Sequence, residues 1–418
     1  MKGSILYCSP NPIGVSPRQL RELEELIKIN LPIVLLETRW IYRHKSTTSL
    51  WPPLVKDHYI YNEKSVTRYT IKFLILQLSK ATKIGGVINM IFSSLLYSFL
   101  WFLILLYVIP KWKVRVIWCS NAPDLPCSIT SIVKKIFRSK ILYIYEMREL
   151  TPELYCIRTS GQANCPYYAI LRLLEKIAFM PADVVITVSN AMKQYITRIY
   201  KKKKVIIPLY PFPPFAEKIA TELKNIRPQE KEKTIIIYGG SILEKIYDLT
   251  LLLESLKQLP PHLKNRLQLH IIGKGDSTIL QVLQRAKEEL PGLINYSSFL
   301  PQHIYYRKLT EADICVVPLT LNQLTSIAVP NKLIDCIILG KPVITAALPS
   351  TIELAKKFRQ IRLYTPGCVN SLSKIIIETL GNLQFHISNN SELLKFSNLF
   401  YMYYSLILLT IRSYFKYE

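Results

Sequence analysis

Along the chain, short runs of apolar residues alternate with longer stretches in which apolar positions recur every three or four residues. The first pattern marks strands buried on both faces and the second amphipathic helices, so their alternation predicts strand-helix-strand units and parallel sheets. In the first half the strand runs are Ser4 to Cys8, Pro32 to Glu37, Val114 to Cys119, Ile141 to Tyr145, Val184 to Val188 and Lys204 to Ile207. In the second half they are Thr234 to Tyr238, Leu267 to Ile272, Asp313 to Pro318 and Pro342 to Thr345. Between the halves stand Pro208, Pro211, Pro213 and Pro214, which can neither continue a helix nor sit in a central strand. The pattern predicts an α/β protein of two doubly wound parallel-sheet lobes, residues 1–210 and 217–385. In such folds ligands bind outside the carboxyl ends of the strands, here in a cleft between the lobes.

One stretch departs from this pattern. From Val87 to Ile109 the chain carries no charge, and 23 residues are enough to cross a bilayer as a helix. A single crossing, however, would put the strands at Ser4 and at Val114 on opposite sides of the membrane, although one sheet needs both. Lys80 and Lys83 precede the run and Lys111, Lys113 and Arg115 follow it, which favours the cytoplasmic side at both ends. A monotopic or re-entrant element is therefore preferred, with a helix buried in the lobe and a true span as the alternatives. Upstream, Lys64, Arg68 and Lys72 recur every four residues and read as a basic stripe on a helix, with Tyr69, Phe73, Leu76 and Ile84 on its apolar side and Gly85 and Gly86 at its end. Such a helix suits an anionic membrane surface, and the two features define a membrane-associating segment over about residues 64–110.

Charge sharpens the picture. The 418 residues carry a net charge of +25, half of them are hydrophobic, and the mean hydropathy of +0.18 excludes a disordered polycation. Residues 1–210 hold 30 basic and 12 acidic side chains, whereas residues 211–418 hold 24 and 17, so the basic surface belongs mainly to the first lobe. A nucleic-acid-binding reading rests on charge alone, because no reading module is recognisable and the run Lys201 to Lys204 reads as a solvated loop before a strand. The eight cysteines are scattered with no two-residue spacing, so reduced structural thiols are expected. The first apolar run is too short for a signal-peptide core, and a cytoplasmic location follows.

The second half carries the chemistry. Its first strand ends in Gly239, Gly240 and Ser241, followed by Lys245 and a helical pattern through Leu249, Leu252, Leu253 and Leu256. Glycines at a strand-to-helix turn let backbone N–H groups approach a phosphate. The next strand ends in Gly273, Lys274 and Gly275. Later, Val329 to Leu339 reads as a helix capped by Asn331 and closed by Gly340 in a left-handed conformation. Its free N–H groups form an anion site, and Asp335, one turn inside, can accept hydrogen bonds from a sugar diol.

This series of residues resembles the donor-binding lobe of glycosyltransferase family 4, the two-lobed GT-B group 1 glycosyltransferases, in a branch similar to those of bacterial surface-polysaccharide synthesis. The first lobe adds Ile141 to Glu153, which resembles the family's strand-end segment "D-x-H-E-L-x-P-E" or, in that branch, "E-x-R-D-L-W-P-E", and Ala182 to Ser189, which resembles "aDxvitvS". The resemblance implies two Rossmann-like lobes and a C-terminal helix, over 386–418, crossing back to the first. It implies that Lys245 pairs with the donor pyrophosphate, that Gly239, Gly240, Ser241 and Gly273 line it, and that Asn331, Lys332 and Leu333 meet the phosphates at a helix start. Asp335 would hold the ribose as the second acid of a Glu-x7-Glu motif, whose first acid is replaced by Ile327. In the first lobe it implies a catalytic or orienting role for Arg148 and Glu149, with Gly14 and Glu153 on the acceptor side.

The expected function is retaining transfer of a sugar from a nucleotide sugar to a lipid-linked acceptor at the inner face of the membrane, in polysaccharide or glycolipid assembly. No Asp-x-Asp pair occurs, so neither metal nor cofactor is expected. A sugar-nucleotide 2-epimerase of the same architecture is the alternative enzyme.

Overall fold

The computed structural model describes residues 3–9, 17–42, 54–61, 64–75, 83–120, 124–137, 141–160, 165–212, 222, 232–275, 277–383 and 391–416. These divide into two compact units.

Unit 1, residues 1–188, 200–209 and 402–418, is built on an eight-stranded sheet. The elements of this half of the chain, in order, are β1 (Ser4–Ser9), α1 (Pro17–Ile27), β2 (Ile33–Tyr42), β3 (Leu54–Tyr61), β4 (Lys64–Ile75), α2 (Lys83–Lys111), β5 (Val114–Ser120), α3 (Asp124–Ile136), β6 (Leu142–Met147), α4 (Thr151–Ser160), α5 (Tyr168–Phe179), β7 (Val184–Thr187), α6 (Asn190–Tyr200) and β8 (Val205–Pro208), all of unit 1 except α6. The sheet order is β3-β4-β2-β1-β5-β6-β7-β8, and every pairing is parallel except that of β3 with β4. The central strands β1 and β6 are buried throughout, as uninterrupted apolar runs require. Pro208 is the last residue of β8, at the sheet edge, where its missing N–H costs no ladder bond.

Three expectations for this unit are corrected. Lys64, Arg68 and Lys72 lie on the strand β4, not on a helix. A spacing of four is also a multiple of the strand repeat, so both structures line these residues up on one face. Val66, Thr67, Tyr69, Thr70 and Ile71 supply the β-branched and aromatic content, and Arg68 forms a bidentate ion pair with Asp57, its register partner on β3. Gly85 and Gly86 lie inside α2 and do not end a helix. Cys156 and Cys165 are joined as a disulfide, where reduced thiols were expected throughout. The Cα atoms of Cys156, on α4, and Cys165 lie 5.2 Å apart, within reach of the bond.

The long helix α2 is fastened to this lobe over the half whose side chains are described. Tyr97, Trp101, Leu105 and Val108 are buried, with Tyr97 hydrogen-bonded to Thr38 of β2 (2.7 Å) and Trp101 Nε1 donating to Thr130 of α3 (3.1 Å). Among the described residues, no helix is long and apolar enough to cross a membrane.

Unit 2, residues 189–199 and 210–401, carries a six-stranded, all-parallel sheet in the order β11-β10-β9-β12-β13-β14. Its elements are β9 (Thr234–Gly239), α7 (Leu249–Lys257), α8 (Pro261–Asn265), β10 (Leu267–Ile272), α9 (Ser277–Glu289), β11 (Ile294–Ser297), α10 (Gln302–Glu311), β12 (Ile314–Val317), α11 (Gln323–Ile327), α12 (Asn331–Ile338), β13 (Val343–Ala346), α13 (Pro349–Ala355), β14 (Ile361–Tyr364), α14 (Val369–Gly381) and α15 (Ser391–Lys416). Most of α6 groups with this unit. Ser189 Oγ donates to the Ile327 carbonyl (2.6 Å), and Asn190 Nδ2 donates to Glu353 (2.5 Å). The helix α15 contributes Phe396 and Phe400 to the core of unit 2, and its residues from Met402 onward belong to unit 1, where Tyr404 stacks near Trp118 and donates to the Glu22 carbonyl.

Candidate active site

In unit 2 the residues singled out in the sequence converge at the carboxyl ends of β9 and β10. Gly240 follows β9 with φ +118°, in the region that glycine tolerates best, and its N–H donates to the Ile272 carbonyl (2.8 Å). Gly273 sits against it so tightly that a Cβ there would come within 1.8 Å of the Gly240 carbonyl oxygen. The two glycines thus let two strand ends touch through their backbones, leaving a flat polar edge on which Ser241 is exposed.

Lys332 closes this edge from the first turn of α12. Its ammonium lies 4.2 Å from the Tyr238 ring centre and 3.5 Å from that of Tyr247, donates to the Tyr238 hydroxyl (2.9 Å), and approaches the Ser241 carbonyl (3.4 Å). Two aromatic faces and two oxygens replace the water that a buried ammonium loses. The replacement is partial, because burial holds the amine well below its usual pKa. One turn along α12, Asp335 is also buried, and its Oδ1 accepts a hydrogen bond from Tyr306 of α10 (2.9 Å). Burial pushes this carboxyl up to about 7, against smaller opposing effects of Tyr306 and Lys332. An amine that releases its proton easily and a carboxyl that keeps its own thus stand on one helix at the strand ends.

The other expected donor residues are placed as follows. Lys245 is exposed in the turn after β9, whose position is held by Thr320 and Asn322 donating to the Lys245 carbonyl at 2.7 and 2.8 Å. Pro330, not Asn331, is the cap of α12. Asn331 is its first helical residue and makes no side-chain cap bond, because the extended backbone that a cap needs falls on the proline. Leu333 is fully buried, its side chain belongs to the core, and its N–H already donates to Pro330. Gly340, with φ +67°, ends α12 as expected.

Unit 1 holds a second polar cluster at the carboxyl ends of β1 and β6. Arg148 donates to both oxygens of Glu146 (2.8 and 3.2 Å) and to Glu22 (3.1 Å). Arg18 contacts the same two carboxylates at 2.9 and 2.7 Å, Tyr7 donates to Glu22 (2.7 Å), and Trp118 donates to Glu146 (3.2 Å). The two arginines hold Glu146 low, to about 2, and burial beside that charge pushes Glu22 up to about 7. Arg148 is therefore oriented by two buried acids, with Glu149 next to it half-buried at the same strand end. Glu153 does not join this group. It is buried on α4, accepting from Tyr168 (2.9 Å) and paired with Arg172, which also holds Glu175. Gly14 lies outside the described residues.

Sequence reading assigned no role to Tyr238, Tyr247 and Tyr306 at the first cluster or to Arg18 and Glu22 at the second, while Glu146 stood in it only as the first acid of the segment leading to Arg148. Tyr238 immediately precedes the glycine pair and was legible as its neighbour. The other partners are brought together by the sheet and leave no spacing signal.

Residues 233–382, which hold the first cluster, match the family model of glycosyl transferases group 1. The chain is 25% identical over 257 residues to a chitobiosyldiphosphodolichol beta-mannosyltransferase of Candida albicans, covering 57% of this chain and 54% of that protein. The chain thus spans about half the length of the curated relative it matches. Among solved structures it resembles a sucrose-phosphate synthase from Thermosynechococcus elongatus (TM-score 0.65, 15% identity, all of both chains). It also resembles a glycosyltransferase from Rickettsia africae ESF-5 (TM-score 0.59, 16% identity, all of both chains). A third is Anabaena HepE in complex with UDP and glucose (TM-score 0.60, 14% identity, 98% of this chain and all of that one). The fold is that of GT-B glycosyltransferases, with two Rossmann-like sheets of eight and six strands.

Proposed function

We propose that this protein is a glycosyltransferase that moves a sugar from a nucleoside-diphosphate donor to a lipid-linked acceptor. The observation that carries the reading is the cluster of the Gly240–Gly273 turn, caged Lys332 and buried Asp335 within the segment matching group 1 glycosyl transferases. The lipid-linked acceptor rests on the name of the Candida relative, and the nucleotide donor on the UDP bound in the Anabaena structure.

In this reading the diphosphate lies on the glycine edge, with Lys245 and Lys332 supplying positive charge and Asp335 accepting from the ribose hydroxyls. As the bond between the anomeric carbon and the phosphate oxygen breaks, charge grows on the leaving diphosphate, and Lys245, together with Lys332 once the bound diphosphate has restored its proton, stabilises it. The acceptor oxygen bonds to the anomeric carbon, and its proton passes to the departing phosphate oxygen on the same face, which retains configuration. The residues that do this work are basic, so no metal is required, and turnover should persist in EDTA. Arg148, held by Glu22 and Glu146, and Glu149 beside it orient the sugar or the acceptor.

A second stereochemical reading has one specific support, the beta linkage in the relative's name. From an α-linked donor, a β product requires inversion, and inversion needs a carboxylate to take the acceptor proton, for which Glu149 is the candidate. Product anomeric configuration by NMR decides between the two. Release of nucleoside diphosphate from a panel of sugar nucleotides, with membrane extract as acceptor, tests the function itself. Unchanged turnover in Lys245→Ala and Asp335→Ala would show that the donor site is misassigned, and product formed without any acceptor would point to an epimerase.

A further inference from the structure

On unit 1, three helices lie side by side with α3 in the middle. Trp101 of α2 donates to Thr130 of α3, and the hydroxyls of Ser128 and Ser131 on α3 donate to the carbonyls of Leu174 and Ile177 on α5. Each helix buries one side on the lobe and turns large apolar residues to the solvent on the other. On α2 these are Leu96, Phe99 (58% exposed), Leu103 and Tyr107, spaced as one helical stripe. On α3 they are Ile132 and Ile136 (55%), and on α5 Ile170 (59%) and Leu173 (56%). Isolated exposed apolar residues need no explanation, but a band across three adjacent helices does.

The charge around the band indicates what covers it. Basic residues gather at the C-terminal ends of the same helices: Lys111 on α2, Lys135 on α3 and Lys176 on α5. Lys204 donates to the carbonyls of Met180 and Ala182 just beyond α5, which brings the exposed Lys201, Lys202 and Lys203 to that end as well. The only carboxylates on the three helices are Asp124, the first residue of α3, and Glu175, which is buried and paired with Arg172. At the same rim the half-exposed Asp183 is paired with Lys134 of α3 (2.5 Å), so an apolar band rimmed by an excess of lysines matches the acyl and phosphate layers of an anionic bilayer.

We infer that the α2–α3–α5 face of unit 1 docks on an anionic phospholipid surface, with Phe99, Leu103, Ile132, Ile170 and Leu173 entering the interface and the lysines meeting lipid phosphates. The inference rests on the glycosyltransferase reading only for its purpose, to bring a lipid-linked acceptor within reach. It replaces the basic stripe at Lys64 to Lys72, which lies on a paired strand.

Flotation of the full chain with vesicles tests it. Binding is expected to vesicles of phosphatidylcholine with phosphatidylglycerol, weaker to phosphatidylcholine alone, and reduced by salt. Each of Lys111, Lys135 and Lys176 changed to Gln should lower partitioning about fivefold, and the triple variant on the order of a hundredfold. Phe99→Asp with Leu173→Asp should abolish binding, and because both sites are exposed the thermal unfolding profile should be unchanged. The same pair should leave transfer to a water-soluble acceptor analogue intact while transfer to a membrane-embedded acceptor falls, which separates docking from catalysis. Vesicle binding that ignores both sets of substitutions overturns the inference. So does a dimer in light scattering that Phe99→Asp dissolves, because a second copy would then cover the face.

Discussion

Asp335 offers a perturbation whose sign reverses between stability and function. Its carboxyl is buried on α12 with a single hydrogen bond from Tyr306, and its pKa is pushed from 3.8 to about 7. Holding the proton that much more tightly corresponds to on the order of 4 kcal/mol of destabilisation once the carboxyl is ionised. Well below pH 3.8 the group is protonated in both folded and unfolded chains and costs nothing, and near pH 4 the cost is still small. Between pH 4 and 7 the unfolded chain gives up its proton more readily, so stability falls with rising pH, and above pH 7 the full cost applies. Asp335→Asn keeps an oxygen for Tyr306 and removes the charge. The ligand-free variant is expected to melt about 10 °C above the parent at pH 8 and together with it near pH 4. Ribose hydroxyls donating to the carboxylate would favour its charged form, so the same variant should bind nucleoside diphosphates at least tenfold more weakly. Differential scanning fluorimetry from pH 4 to 8.5, with and without UDP or GDP, measures both. Equal melting at pH 8, or a difference that does not change with pH, refutes the reasoning.

Three further outcomes are expected. Lys332 loses affinity for its proton on burial, and a bound diphosphate should restore it. Donor binding should therefore take up a proton, seen as a calorimetric enthalpy that changes with the ionisation enthalpy of the buffer in the parent and not in Lys332→Met. Gly273→Ala places a methyl where the Gly240 carbonyl oxygen stands and must push the turn aside, costing about 1–3 kcal/mol of stability in denaturant titration and most of the nucleotide affinity. Glu153→Gln weakens the buried ion pair with Arg172 and should lower stability by about 1–3 kcal/mol with kcat unchanged. A changed acceptor KM in that variant would return Glu153 to the acceptor side.

Much of the fold was legible because buried parallel strands are apolar on both faces and leave short apolar runs bounded by turn residues. Ten strands stood out in this way. The four-residue edge strands β11 and β14 did not, being only partly buried and apolar at few positions, and neither did the hairpin of β3 and β4, because a cationic residue every fourth position lies on one face of a helix and equally on one face of a strand. Only pairing with β2, and Asp57 opposite Arg68, decided between them. The disulfide escaped notice for a related reason, since the nine-residue separation of Cys156 and Cys165 does not say whether the chain between them folds back.

The candidate site divides in the same way. The sequence by itself determined the glycine turns, the basic residues near them and Asp335, because those chemistries depend on residue type at a local turn or helix start. The tertiary structure decided what state those groups are in. It enclosed Lys332 between Tyr238 and Tyr247, gave Asp335 to Tyr306, committed Glu153 to Arg172, and set Arg148 between Glu22 and Glu146. Charge is written in the chain, whereas burial and partners, which control how tightly a proton is held, come from segments far apart along it.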